Sequence, residues 1–476
     1  MKYLFTFFLI CSSILFMNVL NAQWESSVRL TNYPAKSSTT DPNAKSIASS
    51  GDLVHIVWYD SRNGNWEIYY KRSTDGGQTW KADTRITENF FTSDYPSIAV
   101  ENLNVHIVWE DENDGNFEIY YKHSTDGGTS WEPEVRLTND IAESYQPSIA
   151  VSGSDVHVVW YENRDGVWEI YYKHSSDNGI SWSDDTRLTS NPAESYFPSV
   201  AASGSLVHVM WSEYRDEDEE IYYKRSTDGG LTWGQDIRLT NSKGYSEYSS
   251  VSSSGLYVHT AWYDFRDVIS QIFYKRSTDA GVNWEEDKQI SDGTYNASYA
   301  NLSSSGSNVH IVWGNDDSRE VYYRHSSDYG VTWDEEMPLT YEHSASIPSV
   351  SASGTSVHTV WVDRRDGMNN LLYYRRNPSG NILGVDDETG VVPVSIYPNP
   401  ASDLLEIKLS ESSELSESHK INIYNMLGEC VSNLTPTLSK GEGVIRIDIS
   451  HLPVGMYSLV INSGGNIDIK KFVILR

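Results

Sequence analysis

Cysteine is almost missing from this chain. Two occur in 476 residues, Cys11 and Cys430. Cys11 lies in an N-terminal apolar run that reads as a removable leader, so the mature chain holds one thiol and no internal disulfide is expected. Positive charge is scarce as well: 36 Lys and Arg stand against 66 Asp and Glu, a net charge of -30. Such a chain repels nucleic acid and anionic membrane surfaces. Beyond Leu4–Leu20 no long apolar run occurs, so no membrane span is expected. Lys2, the stretch Leu4–Leu20 and Ala22 together read as a secretory signal peptide over residues 1–22. An exported chain without disulfides must be held by its core alone, and a unit of roughly 350 residues is large enough.

What the chain has is repetition. Ser-x-Asp-x-Gly-x-x-Trp occurs six times, beginning at Ser73, Ser124, Ser175, Ser226, Ser277 and Ser326. A Val-His-x-x-Trp segment precedes each and occurs seven times, with histidines at His55, His106, His157, His208, His259, His310 and His358. Each unit of about 50 residues reads as four short antiparallel strands. Period-2 alternation, with Gly, Ser and Asp at the breaks, excludes a helical repeat. The seventh unit is split. Its last strand and tryptophan are missing after Tyr373–Gly380, while Trp24-Glu25-Ser26-Ser27-Val28-Arg29-Leu30-Thr31 supplies them at the other end. Only a closed ring uses such a split. The expected fold is therefore all-β: a seven-bladed β-propeller over 23–380, closed by its N-terminal strand. A linker at 381–392 and a small β-sandwich over 393–476 follow.

Of 16 tryptophans, seven close the second strand and seven belong to the Asp-containing turn, counting Trp24; only Trp66 and Trp168 remain. The first strand carries a small polar residue in every unit: Ser46, Ser97, Ser148, Ser199, Ser250, Asn301 and Ser349. Strands crowded around an axis call for such residues.

The Ser-x-Asp-x-Gly-x-x-Trp segments resemble the Asp-box (BNR) repeats of the sialidase superfamily, over roughly residues 24–380. Their aspartates, Asp75, Asp126, Asp177, Asp228, Asp279 and Asp328, suit a hairpin brace, since a carboxylate accepts from turn amides. Six calcium or sugar sites are the alternative reading. The C-terminal blocks Tyr397-Pro398-Asn399-Pro400, Ile423-Tyr424-Asn425-Met426-Leu427-Gly428 and Leu452-Pro453-Val454-Gly455-Met456-Tyr457 resemble the type A sorting domain of the type IX secretion system. That resemblance implies a partner in the type IX machinery, passage across both membranes, and release or display on the cell surface of a Gram-negative bacterium.

The face opposite the Asp boxes carries a second repeat. In five of the seven units an acid stands two residues after the second-strand tryptophan and a base two residues further on: Asp60 and Arg62, Glu162 and Arg164, Glu213 and Arg215, Asp264 and Arg266, Asp363 and Arg365; the sixth unit has Asn315 and Asp317 there. Asp111 has Asn113 in place of the base. These residues, with Lys45 from the longer first interblade loop Thr31–Lys45, are the candidate ligand face. Paired acid and base also suit a self-neutralising turn. Tyr95, Tyr145, Tyr196, Tyr248 and Tyr299 lie near the mouth and suit carbohydrate stacking or loop anchoring. The sialidase resemblance implies three arginines gripping a substrate carboxylate, a tyrosine–glutamate nucleophile and an acid/base aspartate. The chain departs from that pattern. It lacks the Arg-Ile-Pro motif, counts seven units where sialidases have six, and repeats its arginines blade by blade. No catalytic residue and no metal or other cofactor is assigned, though calcium stays open. The expected function is binding of a glycan or surface protein. A sialidase-type exo-glycosidase and a structural surface component are the alternatives.

Overall fold

The computed structural model describes residues 24–379, apart from positions 34, 114, 216, 217, 267, 342 and 368, together with 394–397, 404–409, 419–425, 430–434, 444–463 and 466–474. The signal peptide at 1–22 and the linker at 381–392 lie outside the described residues. The chain divides into two compact units, Met1–Leu383 and Gly384–Arg476.

The first unit is a seven-bladed propeller. Blade three shows the plan: Ser144–Ser152 innermost, then Asp155–Glu162, Glu169–Ser175 and Thr186–Arg187, all antiparallel. Blades two, four, five and six repeat it. Blade seven takes its outermost strand from the N-terminus, with Val28 opposite Tyr374 and Arg29 opposite Tyr373. Trp24 is buried there and meets Tyr323 edge-on at 4.9 Å.

Each gap between blades is sealed by a histidine, a tyrosine and a tryptophan, joined in six of the seven by a box glycine. Burial of a hydroxyl and an imidazole requires that each find a partner. In blade two, Tyr121 Oη lies 2.7 Å from His106 Nδ1. Its ring meets Trp182 of blade three edge-on at 4.9 Å. The same hydroxyl presses on Gly179 of that blade so closely that no side chain fits there. The box glycine thus answers a close approach as well as its positive φ. Equivalent histidine–tyrosine pairs close all seven gaps, at 2.5–2.8 Å. Burial pushes these histidines down, His106 to about 3 and His157 to about 4, so they are neutral.

Around the axis the small polar residues bond from blade to blade. Ser97, Ser148, Ser199 and Ser250 each accept a backbone N–H of the next blade at 3.2–3.4 Å, from Ile149, Val200, Val251 and Leu302. Asn301 does so for Val350 at 3.0 Å, and Ser349 for Ser46 at 3.2 Å. A larger side chain here would pry the blades apart.

The second unit holds two antiparallel sheets. One orders Val394–Tyr397, Leu404–Leu409 and Val444–Asp448; the other orders Cys430–Leu434, His419–Asn425, Gly455–Ser463 and Asn466–Ile474. Buried residues come from both, Leu405 and Ile447 from the first, Ile423 and Tyr457 from the second, as in a sandwich. No helix among the described residues is long and apolar enough to cross a membrane.

Candidate functional site

The Asp boxes are closed on themselves. Asp75 accepts from Ser73 Oγ at 2.7 Å, from the Thr79 amide at 2.8 Å and from Thr79 Oγ1 at 2.5 Å. These bonds hold its carboxyl well below the usual carboxylate range. The other five boxes brace their aspartates in the same way, as at Asp177 with Ser175 and Ser181. Among the described residues no group of three or more His, Cys, Asp or Glu side chains is placed to share a metal ion.

The repeated acid–base positions are also occupied locally. Asp60, Glu162, Glu213, Asp264 and Asp363 are buried. Each accepts from the indole N–H two residues before it, at 2.8–3.3 Å. Each also accepts from the arginine two residues after it, at 2.6–2.9 Å. The guanidinium then stacks on a third-strand aromatic ring at 3.8–4.5 Å. Asp111, lacking the arginine, accepts from Trp109, Ser93 and Asn89. Ten of the twelve candidate ligand-face residues are thus paired within their own turns, and Asp111 is tied to its own neighbours. The twelfth, Lys45, is inside the ring. They do not converge on one site.

The asymmetric residues do converge. In six blades the inner strand has a β-bulge at its start. One bulge residue per blade is held at positive φ without being glycine: Tyr95, Gln146, Phe197, Tyr248, Tyr299 and Ile347, at 45–56°. That backbone costs about 1 kcal/mol each. Four of these residues, Tyr95, Gln146, Tyr248 and Tyr299, lie near Asp41 of the first loop. In blade one the inner strand is interrupted instead. Ser37–Ser38 and Ile47–Ser50 both pair with Leu53–Asp60, and residues 39–45 leave the sheet between them. The extra length of the first loop is therefore an insertion at the bulge.

This insertion plugs the axis. Thr39 Oγ1 donates to the Ile347 carbonyl of blade seven at 2.7 Å. Asn43 Nδ2 donates to the Pro198 carbonyl of blade four at 3.1 Å. Asn301 of blade six donates to the Pro42 and Ala44 carbonyls at 2.9 and 3.1 Å. On the outer side, Asp41 accepts from Gln146 Nε2 at 2.9 Å, and its charge is felt by Tyr59, Tyr95, Tyr161, Tyr248 and Tyr299. Burial raises its pKa to about 6.

Beside Asp41 lies a pair of carboxyls. The residue after the second-strand tryptophan is Tyr59, Glu110, Tyr161, Ser212, Tyr263, Gly314 and Val362 through the blades. Only blade two places an acid there, and its cross-strand partner is Asp94. Glu110 is 3% exposed and accepts from the Gln146 amide at 2.6 Å. Burial and then the charge of Asp94 push Glu110 well up; burial and the neighbouring acids raise Asp94 to about 7. Asp94 Oδ1 is buried and finds no donor among the described residues. One proton held between the two carboxyls would satisfy that oxygen. None of Asp41, Asp94 and Glu110 makes an ion pair among the described residues.

Aromatic rings flank these acids. Tyr59 meets Trp66 at 5.1 Å and Tyr95 at 5.7 Å. Tyr161 meets Trp168 at 5.3 Å and Tyr145 at 5.8 Å. Trp66 and Trp168, the two tryptophans outside the repeat pattern, both stand here. Further round, Phe197 stacks on Tyr248 at 4.0 Å. Reading for equivalent positions passed over Glu110, Asp94 and Asp41. The signal that finds them is departure from the repeat.

Residues 10–212 match the BNR repeat-like domain, and residues 395–475 match the secretion system C-terminal sorting domain. The chain carries both. The sorting domain directs it out through the type IX system, to the cell surface or the medium. The fold is similar to a polysaccharide lyase, Uly1, at 11% identity and a TM-score of 0.50, over 75% of this chain and 99% of that one. It is also similar to an endosialidase of phage phi92 (11% identity, TM-score 0.47, 94% and 87% covered). A GH93 α-L-arabinofuranosidase of Fusarium graminearum is matched at 16% identity and a TM-score of 0.43, with 74% and 97% covered. None of the curated proteins matches the chain.

Proposed function

We propose that this secreted propeller binds glycans at the aromatic and acidic basin around Asp41, on the face away from the Asp boxes. The observation that carries this reading is the gathering of Trp66, Trp168, Tyr59, Tyr145 and Tyr161 beside Asp41, Asp94 and Glu110. Flat rings cover the apolar faces of sugars, and carboxyl and tyrosine oxygens bond to sugar hydroxyls. The charge selects among glycans. Unpaired acids repel an anionic sugar and favour a neutral or amine-bearing one. This argues against a sialidase reading, which needs arginines where the basin has acids. The repeated acid–arginine turns then serve to hold the blade edges, and the type IX machinery is the partner of the C-terminal unit.

A glycan array probed with the mature chain tests the reading. Neutral or amino-sugar glycans should bind, and Trp168→Ala should weaken them about tenfold, the worth of one aromatic face. Binding only of sialylated glycans, or binding indifferent to Trp168→Ala, would overturn it. Glycoside hydrolysis is the second reading, favoured by the carboxyl pair, since a raised pKa keeps an acid protonated at neutral pH. Turnover lost in Glu110→Gln would establish it.

A further inference from the structure

Below the plug the axis is open. A cavity of about 230 Å³ is lined by the lower halves of the inner strands, from Ser148 and Asn43 down to Val151, Ser253 and Ser304. It runs from the plug toward the Asp-box face, away from the acidic basin. Lys45 lines it. The Lys45 backbone is fixed: its carbonyl accepts from the Ile98 amide at 3.0 Å. Its ammonium donates to no protein atom and faces no carboxylate within 4.0 Å among the described residues. The residue is half-buried and lines the channel.

This is an unusual place for a cation. In a chain of net charge -30, every other buried base described above is paired. Burying an ammonium without a counter-charge is costly. Here burial alone lowers its pKa, to about 8, so it is still largely charged at neutral pH. The wall is rich in hydroxyls whose oxygens are already engaged as acceptors. Ser250 accepts from Leu302 at 3.2 Å and Ser303 from Ala352 at 3.1 Å, while the Ser252 and Ser304 hydroxyls bond to each other at 2.8 Å. The protons of Ser250 and Ser303 are therefore available to donate. A cation in a donor-lined cavity is a receptor for negative oxygen.

We propose that the axial channel binds a small oxyanion, a carboxylate or a phosphate, on Lys45, separately from the glycan basin. The cavity is larger than one that holds benzene, so it has room for either anion together with water. Entry is from the Asp-box face, because the bonds of Pro42, Asn43 and Ala44 close the other end.

Isothermal titration of the mature chain with sodium acetate, and separately with sodium phosphate, tests this at constant ionic strength held with sodium chloride. One saturable site per chain is expected for at least one of them, weakened at least tenfold in Lys45→Gln. The arm that saturates tells which source of oxyanion the channel accepts. In parallel, the ¹⁵N-lysine spectrum of the wild type should show a single ammonium, with an apparent pKa near 8, moving upward on titration. That measurement stands even if Lys45→Gln does not fold. No saturable site with either anion, equal binding by Lys45→Gln, or an ammonium signal indifferent to both anions would overturn the proposal.

Discussion

Gly179→Ala is the sharpest test of how the blades are locked. A Cβ built on Gly179 would lie 2.5 Å from Tyr121 Cζ and 2.8 Å from Cε1, and nearer still to the hydroxyl. Tyr121 must therefore retreat. Its retreat breaks the 2.7 Å contact with His106 and the edge contact with Trp182. Overpacking in a core costs about 1–3 kcal/mol, loss of a buried hydrogen bond about 1 kcal/mol, and a side chain at φ 84° about 1–2 kcal/mol. Together these give about 3–6 kcal/mol. The control is Gly204→Ala: φ is 58°, but nothing lies within 4 Å of the added atom, so only the backbone term of about 1–2 kcal/mol applies. Urea unfolding followed by tryptophan fluorescence compares the two. Adding Tyr121→Phe to Gly179→Ala should restore part of the loss by removing the nearest atom. Equal midpoints for Gly179→Ala and Gly204→Ala would refute the lock.

Trp24→Ala should cost about 3–5 kcal/mol, as for a large buried side chain, and deletion of residues 24–31 more; a thermal midpoint unmoved by both would separate the N-terminal strand from closure. The histidines set an acid limit. Their folded pKa values lie below the unfolded 6.5, so the stability they contribute is full above pH 6.5 and is lost as pH falls toward about 3. Urea midpoints should therefore drop steadily from pH 7 to 4. The basin acids have the opposite sign. Raised carboxyl pKa values mean stability present below about pH 4 and lost as pH rises through about 6 to 7. Glu110→Gln should therefore stabilise the protein by about 1–3 kcal/mol at pH 8 and by nothing at pH 4. A pH-independent effect would show that the two carboxyls do not share a proton.

The ring was legible because every blade states the same contacts. Seven copies of one histidine and one tyrosine, and a tryptophan displaced to residue 24, leave a single way to close. The candidate site was less legible for the same reason. Repeats report what all blades need, and Asp60 or Arg62 recurs because each blade must tie off its own turn. Glu110 pairs with Asp94 only once the strand register sets them opposite each other. Asp41 and Lys45 were read within an interblade loop. The extra residues instead interrupt the inner strand, where the only space is the axis. That places one acid above the plug and one base below it, a separation that spacing along the chain does not reveal.

The pairing of Val28 with Tyr374 also fixes an order of events. The first strand to be synthesised is the last to find its place, since its partner trails by roughly 345 residues. Joining ends that far apart costs about 5 kcal/mol if the intervening chain is unstructured. Blades one to six, whose four strands are neighbours in the chain, can form beforehand and shrink that gap. The molecule is then a horseshoe until the final sector arrives. A chain that ends before the strand Leu371–Asn377 has nothing to receive Val28 and Arg29, and stays unlatched.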